Sequence, residues 1–183
     1  IEAVINNYFE KSAELKASIQ EVKKYHNQIL LDLFEDDQNP VFAALKKLFD
    51  EMELFLENNK SPNYNYVYDQ LIGYGELLST TILTYFFSHK NIDTNLLDVR
   101  QYIKTNSNFR EAEVDWQLTQ KNISAIKVKA TLNITQGFLG SDENNFSTSL
   151  GREGSDYTAA IFGYCLNADS VTIWKDVPGV MNA

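Results

Sequence analysis

Apolar residues recur at intervals of three and four from the start of the chain. Ala3, Ile5, Tyr8, Phe9, Leu15, Ile19, Val22, Tyr25, Ile29, Leu30 and Leu33, with Ser12 among them, form one stripe and predict amphipathic helix through Leu33. Glu35 to Pro40 interrupts the pattern as a loop. A second stripe follows in Val41, Ala44, Leu45, Leu48, Phe49, Met52, Phe55 and Leu56. Asn58 to Pro62 makes the next break, with Ser61 a plausible cap and Pro62 a plausible first helical residue. A third helical region is expected over residues 64–88, bent near Gly73-Tyr74-Gly75 because glycine weakens a helix interior.

The pattern changes after Asn91. Thr94–Val99 and Leu132–Phe138 have strand character, and Ala112–Ala125 offers an amphipathic helix through Val114, Leu118 and Ile123. Phe146–Leu150 is a short alternating run that Gly151 breaks. Tyr157–Ala168 has helical spacing, and Val171–Trp174 is a β-branched run stopped by the turn residues Asp176 to Gly179. Helices followed by alternating strands and helices predict an α/β domain with a covered sheet.

The chain has 183 residues, 44% of them hydrophobic and 13% aromatic, which suits one globular domain with a sizeable core. Net charge is −9 without a basic cluster, which argues against a nucleic-acid partner. No apolar run approaches the roughly 20 residues of a membrane span, so no membrane partner is expected. The single cysteine, Cys165, excludes an internal disulfide and fits a reducing compartment, with cytoplasm as the expected location. His26 and His89 stand apart from other ligand-type residues, and no metal site is expected from protein side chains alone.

The candidate chemistry gathers between Gly137 and Ala183. Glycines there allow a ligand close to the backbone, and the first amides of the helix after Gly154 attract anions. Arg152 adds a planar fork of donors suited to a carboxylate or phosphate. An exposed arginine also commonly forms an ordinary salt bridge. Ser155 and Asp156 are each plausible helix caps as well as plausible ligand contacts.

These residues carry a resemblance. Gly137-Phe138-x-Gly140, the block Thr148–Ala160 (TSLGREGSDYTAA) and IWKDVPGV from Ile173 resemble signature blocks of the aspartokinases, members of the amino acid kinase superfamily. Gly75-Glu76-Leu77-Leu78-Ser79 is similar to the family's G-E-x-x-S element. Asp98-Val99-Arg100 with Thr105, Asn106 and Phe109 is similar to its D-V-R…T-N…F segment. The blocks fall in order from about Asn27 onward, which is more specific than any one motif.

The resemblance implies a three-layer α/β/α sandwich of the amino acid kinase type, helix-rich in its first half. It implies an amino-acid-binding lobe over about residues 1–150 and the start of a nucleotide-binding lobe over about 151–183. The implied activity is transfer of the terminal phosphoryl group of ATP, with magnesium, to the side-chain carboxylate of L-aspartate, giving 4-phospho-L-aspartate. Arg152 would grip a carboxylate of the substrate, Glu76 its amino group, and Ser155 would donate to it. Asp156 would stand at the phosphoryl-transfer centre, and Lys175, Asp176, Gly179 and Met181 in the nucleotide loop. A different carboxylate acceptor, or a binding and assembly role without turnover, are the alternatives. The family's opening K-F-G-G-T-S block and its regulatory domains have no counterpart between Ile1 and Ala183. The chain is therefore expected to be an internal piece of a kinase, truncated at both ends, inactive alone and from a homo-oligomeric parent. Glu153 and Met181 depart from the family pattern, and a glutamate at 153 must turn its side chain away from an anion.

Overall fold

The computed structural model describes residues 1–36, 38–127 and 130–175. The first stripe forms two helices, α1 (Glu2–Phe9) and α2 (Leu15–Leu33), rather than one. Lys11 adopts a left-handed conformation (φ 51°), and the Lys11 and Ser12 amides close back onto the Tyr8 and Asn7 carbonyls. The chain thereby folds α1 against both α2 and α4, where Val4 and Ile5 are fully buried. A continuous helix would have carried that apolar face into water.

α3 (Pro40–Asn58) takes its first residue from the expected loop: the Asn39 side chain accepts from the Val41 amide, and Pro40 sits at the first helical position. The next cap falls later than Ser61-Pro62. Asn63 accepts from the Tyr66 amide and opens α4 (Tyr64–Ile72). α5 (Tyr74–His89) follows after Gly73, which ends one helix and begins the other. The break has a packing cause. A Cβ on Gly73 would stand 3.0 Å from a methyl of Leu139, so the bare Cα lets Leu139 pack on the helix pair without shifting.

β1 (Thr94–Leu97) and β2 (Leu132–Thr135) pair in parallel, with Thr94 opposite Leu132 and Leu97 opposite Thr135. α5 packs against this pair. β3 (Leu139–Ser141) and β4 (Ser147–Ser149) pair antiparallel, with Leu139 opposite Ser149. Both expected strands are shorter than the sequence suggests. Thr94–Val99 ends early because Asp98 caps a 3-10 turn over Val99–Gln101. Leu132–Phe138 ends early because Gln136 leaves the sheet. Its side chain accepts from the Val99 amide and donates to Thr80, tying the turn to α5.

The helix expected from Ala112 starts only at Trp116: α6 runs Trp116–Ser124, capped by Asp115. Ala112 and Val114 are extended instead, bonded to Ser149 and bridged to Thr105. α7 (Gly154–Cys165) closes the described fold. The β-branched run Val171–Trp174 forms no strand among the described residues. It is exposed, Trp174 by 91%, and no described strand offers it a partner.

Two apolar clusters hold these elements. One lies among α1–α5, with Ile5, Leu30, Leu45, Met52, Leu71 and Leu78 at its centre. The other joins Val99, Ile103, Ile123, Leu139, Leu150 and Ile161, with Cys165 buried beside them as its helix face implies. Burying a side chain of this size contributes about 1.5–3 kcal/mol.

The D-V-R element belongs to this framework. Arg100 donates through Nε and Nη2 to the two oxygens of Asp98 at 2.9 and 2.7 Å. Burial works against the charge on Asp98, but the Arg100 hydrogen bonds and charge outweigh it and hold the carboxyl below its usual range.

Candidate active site

The loop from Gln136 to Leu139 is the hub of the candidate site. Glu76, in the first turn of α5, is half-buried, and burial raises its pKa while a hydrogen bond from the Gly137 amide opposes that rise. On its other side Gly137 lies against Ser155 in the first turn of α7. A Cβ there would stand 2.8 Å from Ser155 Oγ and 3.0 Å from its Cα. Gly137 is required for this close approach of two backbones.

Phe138 comes next, held at φ 70°. Its amide donates to Thr158 Oγ1 at 3.0 Å, and its carbonyl accepts from the Leu150 amide at 2.8 Å. Phe138 lines two clefts. One contains Glu76 with Gly75, Ile72 and Ile1. The other contains Arg152 with Arg110, Tyr68, Asn108 and Ser149. Glu76 and Arg152 therefore stand in neighbouring clefts with Phe138 as their common wall.

Arg152 is exposed and follows Gly151, whose φ of 75° suits glycine. Glu153 takes the position before α7 in a left-handed conformation (φ 57°), so neither Ser155 nor Asp156 is the helix cap. Both lie in the first turn, where helix amides lack intrahelical partners. The Glu153 side chain turns to Lys175 at 2.7 Å, and Lys175 also pairs with Asp156 at 2.7 Å. The hydrogen bonds that Lys175 donates to these two carboxylates, Asp156 foremost, raise the pKa of the exposed Lys175. The structure thus pairs Asp156 with Lys175 and packs Gly137 against Ser155. Asp176, Gly179 and Met181 lie outside the described residues.

Three further residues shape the site, two of which did not stand out in the sequence; Phe138 belongs to the Gly137-Phe138-x-Gly140 block but had no role assigned. Asp69 on α4 is fully buried and accepts three hydrogen bonds: from the Arg110 amide (2.8 Å), the Ser149 amide (2.9 Å) and the Ser149 hydroxyl (2.6 Å). Burial raises its pKa, and these donors oppose the rise. The other two are Arg110 and Phe138. Non-glycine residues at positive φ mark stored backbone strain, and Arg110, Phe138 and Glu153 all carry it around these clefts. For Asp69 the available signal was a lone acid in a helix whose neighbours Tyr66 and Ile72 share its face.

An α/β chain with glycine-bearing loops, a helix start and paired cations and carboxylates at one seam has the parts of a small-molecule phosphotransferase. The chain belongs to the amino acid kinase family, whose model matches residues 3–183. It is similar to the lysine-sensitive aspartokinase 3 of Escherichia coli (strain K12), 34% identical over 146 residues that cover 78% of this chain and 32% of that protein. It is also similar to the chloroplastic bifunctional aspartokinase/homoserine dehydrogenase 1 of Zea mays, 34% identical over 118 residues covering 63% and 13% of the two chains. Among solved structures, E. coli aspartokinase III in complex with aspartate and ADP matches with a TM-score of 0.83 at 26% identity, covering 96% of this chain and 41% of that one. The same enzyme with lysine and aspartate gives 0.83 at 27% identity, covering 97% and 41%. The fold is therefore the α/β fold of amino acid kinases. The chain spans about a third of the length of the first of these relatives.

Proposed function

We propose that the protein is an aspartokinase, transferring the terminal phosphoryl group of ATP to the side-chain carboxylate of L-aspartate to give 4-phospho-L-aspartate. The observation that carries this reading is the packing at Gly137 and Phe138: the bare Cα of Gly137 lies against Ser155 at the start of α7, and Phe138 lines both the cleft with Glu76 and the cleft with Arg152. A carboxylate and a guanidinium on the two sides of Phe138 suit the ammonium and a carboxylate of one amino acid. Related solved structures in complex with aspartate, and with aspartate and ADP, support the same reading.

In this reading Glu76 receives the amino group, Arg152 a carboxylate, and Ser155 donates to the substrate. Asp156 lies at the transfer centre, and its pairing with Lys175 keeps an ammonium ready for the phosphate chain. Lys175, Asp176, Gly179 and Met181 belong to the nucleotide loop, with the lobe boundary near Leu150 and Gly151. Among the described residues no cluster of three His, Cys, Asp or Glu could hold a metal. That donor set still fits magnesium, which keeps its waters and uses phosphate oxygens with one or two carboxylates, such as Asp156. Magnesium bound with the nucleotide would supply neutralisation of the phosphate charge. The chain's own residues supply positioning, which accounts for most of the rate in this class of reaction. The reading also implies a cytoplasmic homo-oligomer feeding lysine, threonine and methionine biosynthesis.

Calorimetric titration with L-aspartate, L-glutamate and N-acetylglutamate tests the acceptor. Saturable binding of aspartate in preference to the other two is expected. Preference for either competitor would reassign the chain to another acceptor within the family.

A further inference from the structure

The cleft that contains Arg152 holds a second guanidinium. Arg110 and Arg152 line the same space of about 640 Å³, with Tyr68, Asn108 and Ser149, and Glu111 is the one carboxylate in that lining. Among the described residues neither arginine forms an ion pair. Two such groups in one cleft repel each other until an anion enters.

Their carriers are fixed. One oxygen of the buried Asp69 accepts from both the Arg110 and Ser149 amides, joining the two loops. A Cβ on Gly151 would stand 3.3 Å from the Arg110 carbonyl oxygen, so the loops also meet backbone to backbone. The Arg110 guanidinium lies 4.6 Å from the Tyr68 ring centroid and 5.8 Å from that of Tyr64. An arginine held by ring faces keeps its in-plane N–H donors for a ligand. Asp156 and Lys175 lie outside the lining of this cleft. The space is thus set apart from the groups assigned to phosphoryl transfer.

We propose that Arg110 is a second arm for the non-reacting α-carboxylate of the amino-acid acceptor, which is held between Arg110 and Arg152. The inference rests on the reading of Arg152 as a carboxylate grip and adds a residue whose charge sets acceptor affinity. Its backbone strain, at φ 76°, is the cost of presenting a long cation where glycine would sit more easily.

The test is calorimetric titration with three ligands: L-aspartate, L-asparagine and L-isoasparagine, the last carrying an amide in place of the α-carboxylate. Arg110→Gln is expected to weaken aspartate and asparagine roughly tenfold or more, and isoasparagine less than about threefold. Arg110→Gly, which relieves the strained φ, is expected to show the same loss with a thermal midpoint no lower than that of Arg110→Gln. Unchanged affinities in Arg110→Gln, or an equal loss for all three ligands, would overturn the inference. If Arg152→Gln weakens binding and Arg110→Gln does not, the inference alone falls. If the unmodified protein binds none of the three, or Arg152→Gln changes nothing, the acceptor reading fails and the inference falls with it.

Discussion

Glu76 and Ser155, 79 positions apart in the numbering, meet through a single residue. The amide of Gly137 counters the rise that burial gives the Glu76 pKa, and its bare Cα faces the backbone of Ser155. Gly137→Ala must push α7 away, because the nearest atoms include Ser155 Cα rather than a flexible side-chain tip. A loss of about 1–3 kcal/mol in urea unfolding is expected, with weaker aspartate binding. Unchanged stability would show that α7 can shift freely.

The half-burial of Glu76 has a sign. Its pKa is raised above the ordinary 4.5, so the unfolded chain gives up its proton at lower pH than the native one. The contribution of the neutral acid is complete below that ordinary value and is lost as pH rises through the native one. Glu76→Gln keeps the size and polarity of the side chain and removes the charge. Thermal melts at pH 7 are expected to show a ligand-free variant at least as stable as the original, with aspartate binding lost. A clear drop in melting temperature would contradict this.

Asp69 accepts from three donors and needs both carboxylate oxygens to do so. Asparagine would turn an NH2 toward at least one of those donors. Asp69→Asn should cost about 2–3 kcal/mol in denaturant unfolding. Any folded remainder should bind aspartate more weakly, since the Arg110 loop and the end of β4 lose their common anchor.

Glu153 holds a left-handed conformation, and its exposed pairing with Lys175 contributes little to stability. Glu153→Gly should relieve about 1 kcal/mol of backbone strain and raise the thermal midpoint by about 2–4 °C. A lower midpoint would show that the ion pair outweighs the strain.

Helices were legible where local pattern and local chemistry agree. The stripe from Val41 to Leu56 marks α3 without help from the rest of the chain, although Pro40, expected in the loop, opens the helix. The break between α1 and α2 was not legible, because the apolar spacing runs through Ser12 as if the helix continued. Only the docking of Val4 and Ile5 against later helices explains it. Val171–Trp174 has strand composition, but strand formation needs a neighbour, and the described residues provide none. In the site, Glu76, Arg152 and Asp156 stood out by their glycine-flanked motifs. Asp69 and Arg110 did not, since their roles depend on partners 41 and 80 positions away. The Asp156–Lys175 pair was equally hidden, because spacing does not reveal which cation an acid will face.

A crystal structure of the protein with bound L-aspartate tests the central claim most directly. The ligand's amino group is expected within about 3 Å of the Glu76 carboxylate, and one of its carboxylates within about 3 Å of Arg152, with Phe138 against its carbon chain. Aspartate ordered elsewhere, or touching neither Glu76 nor Arg152, would contradict the account.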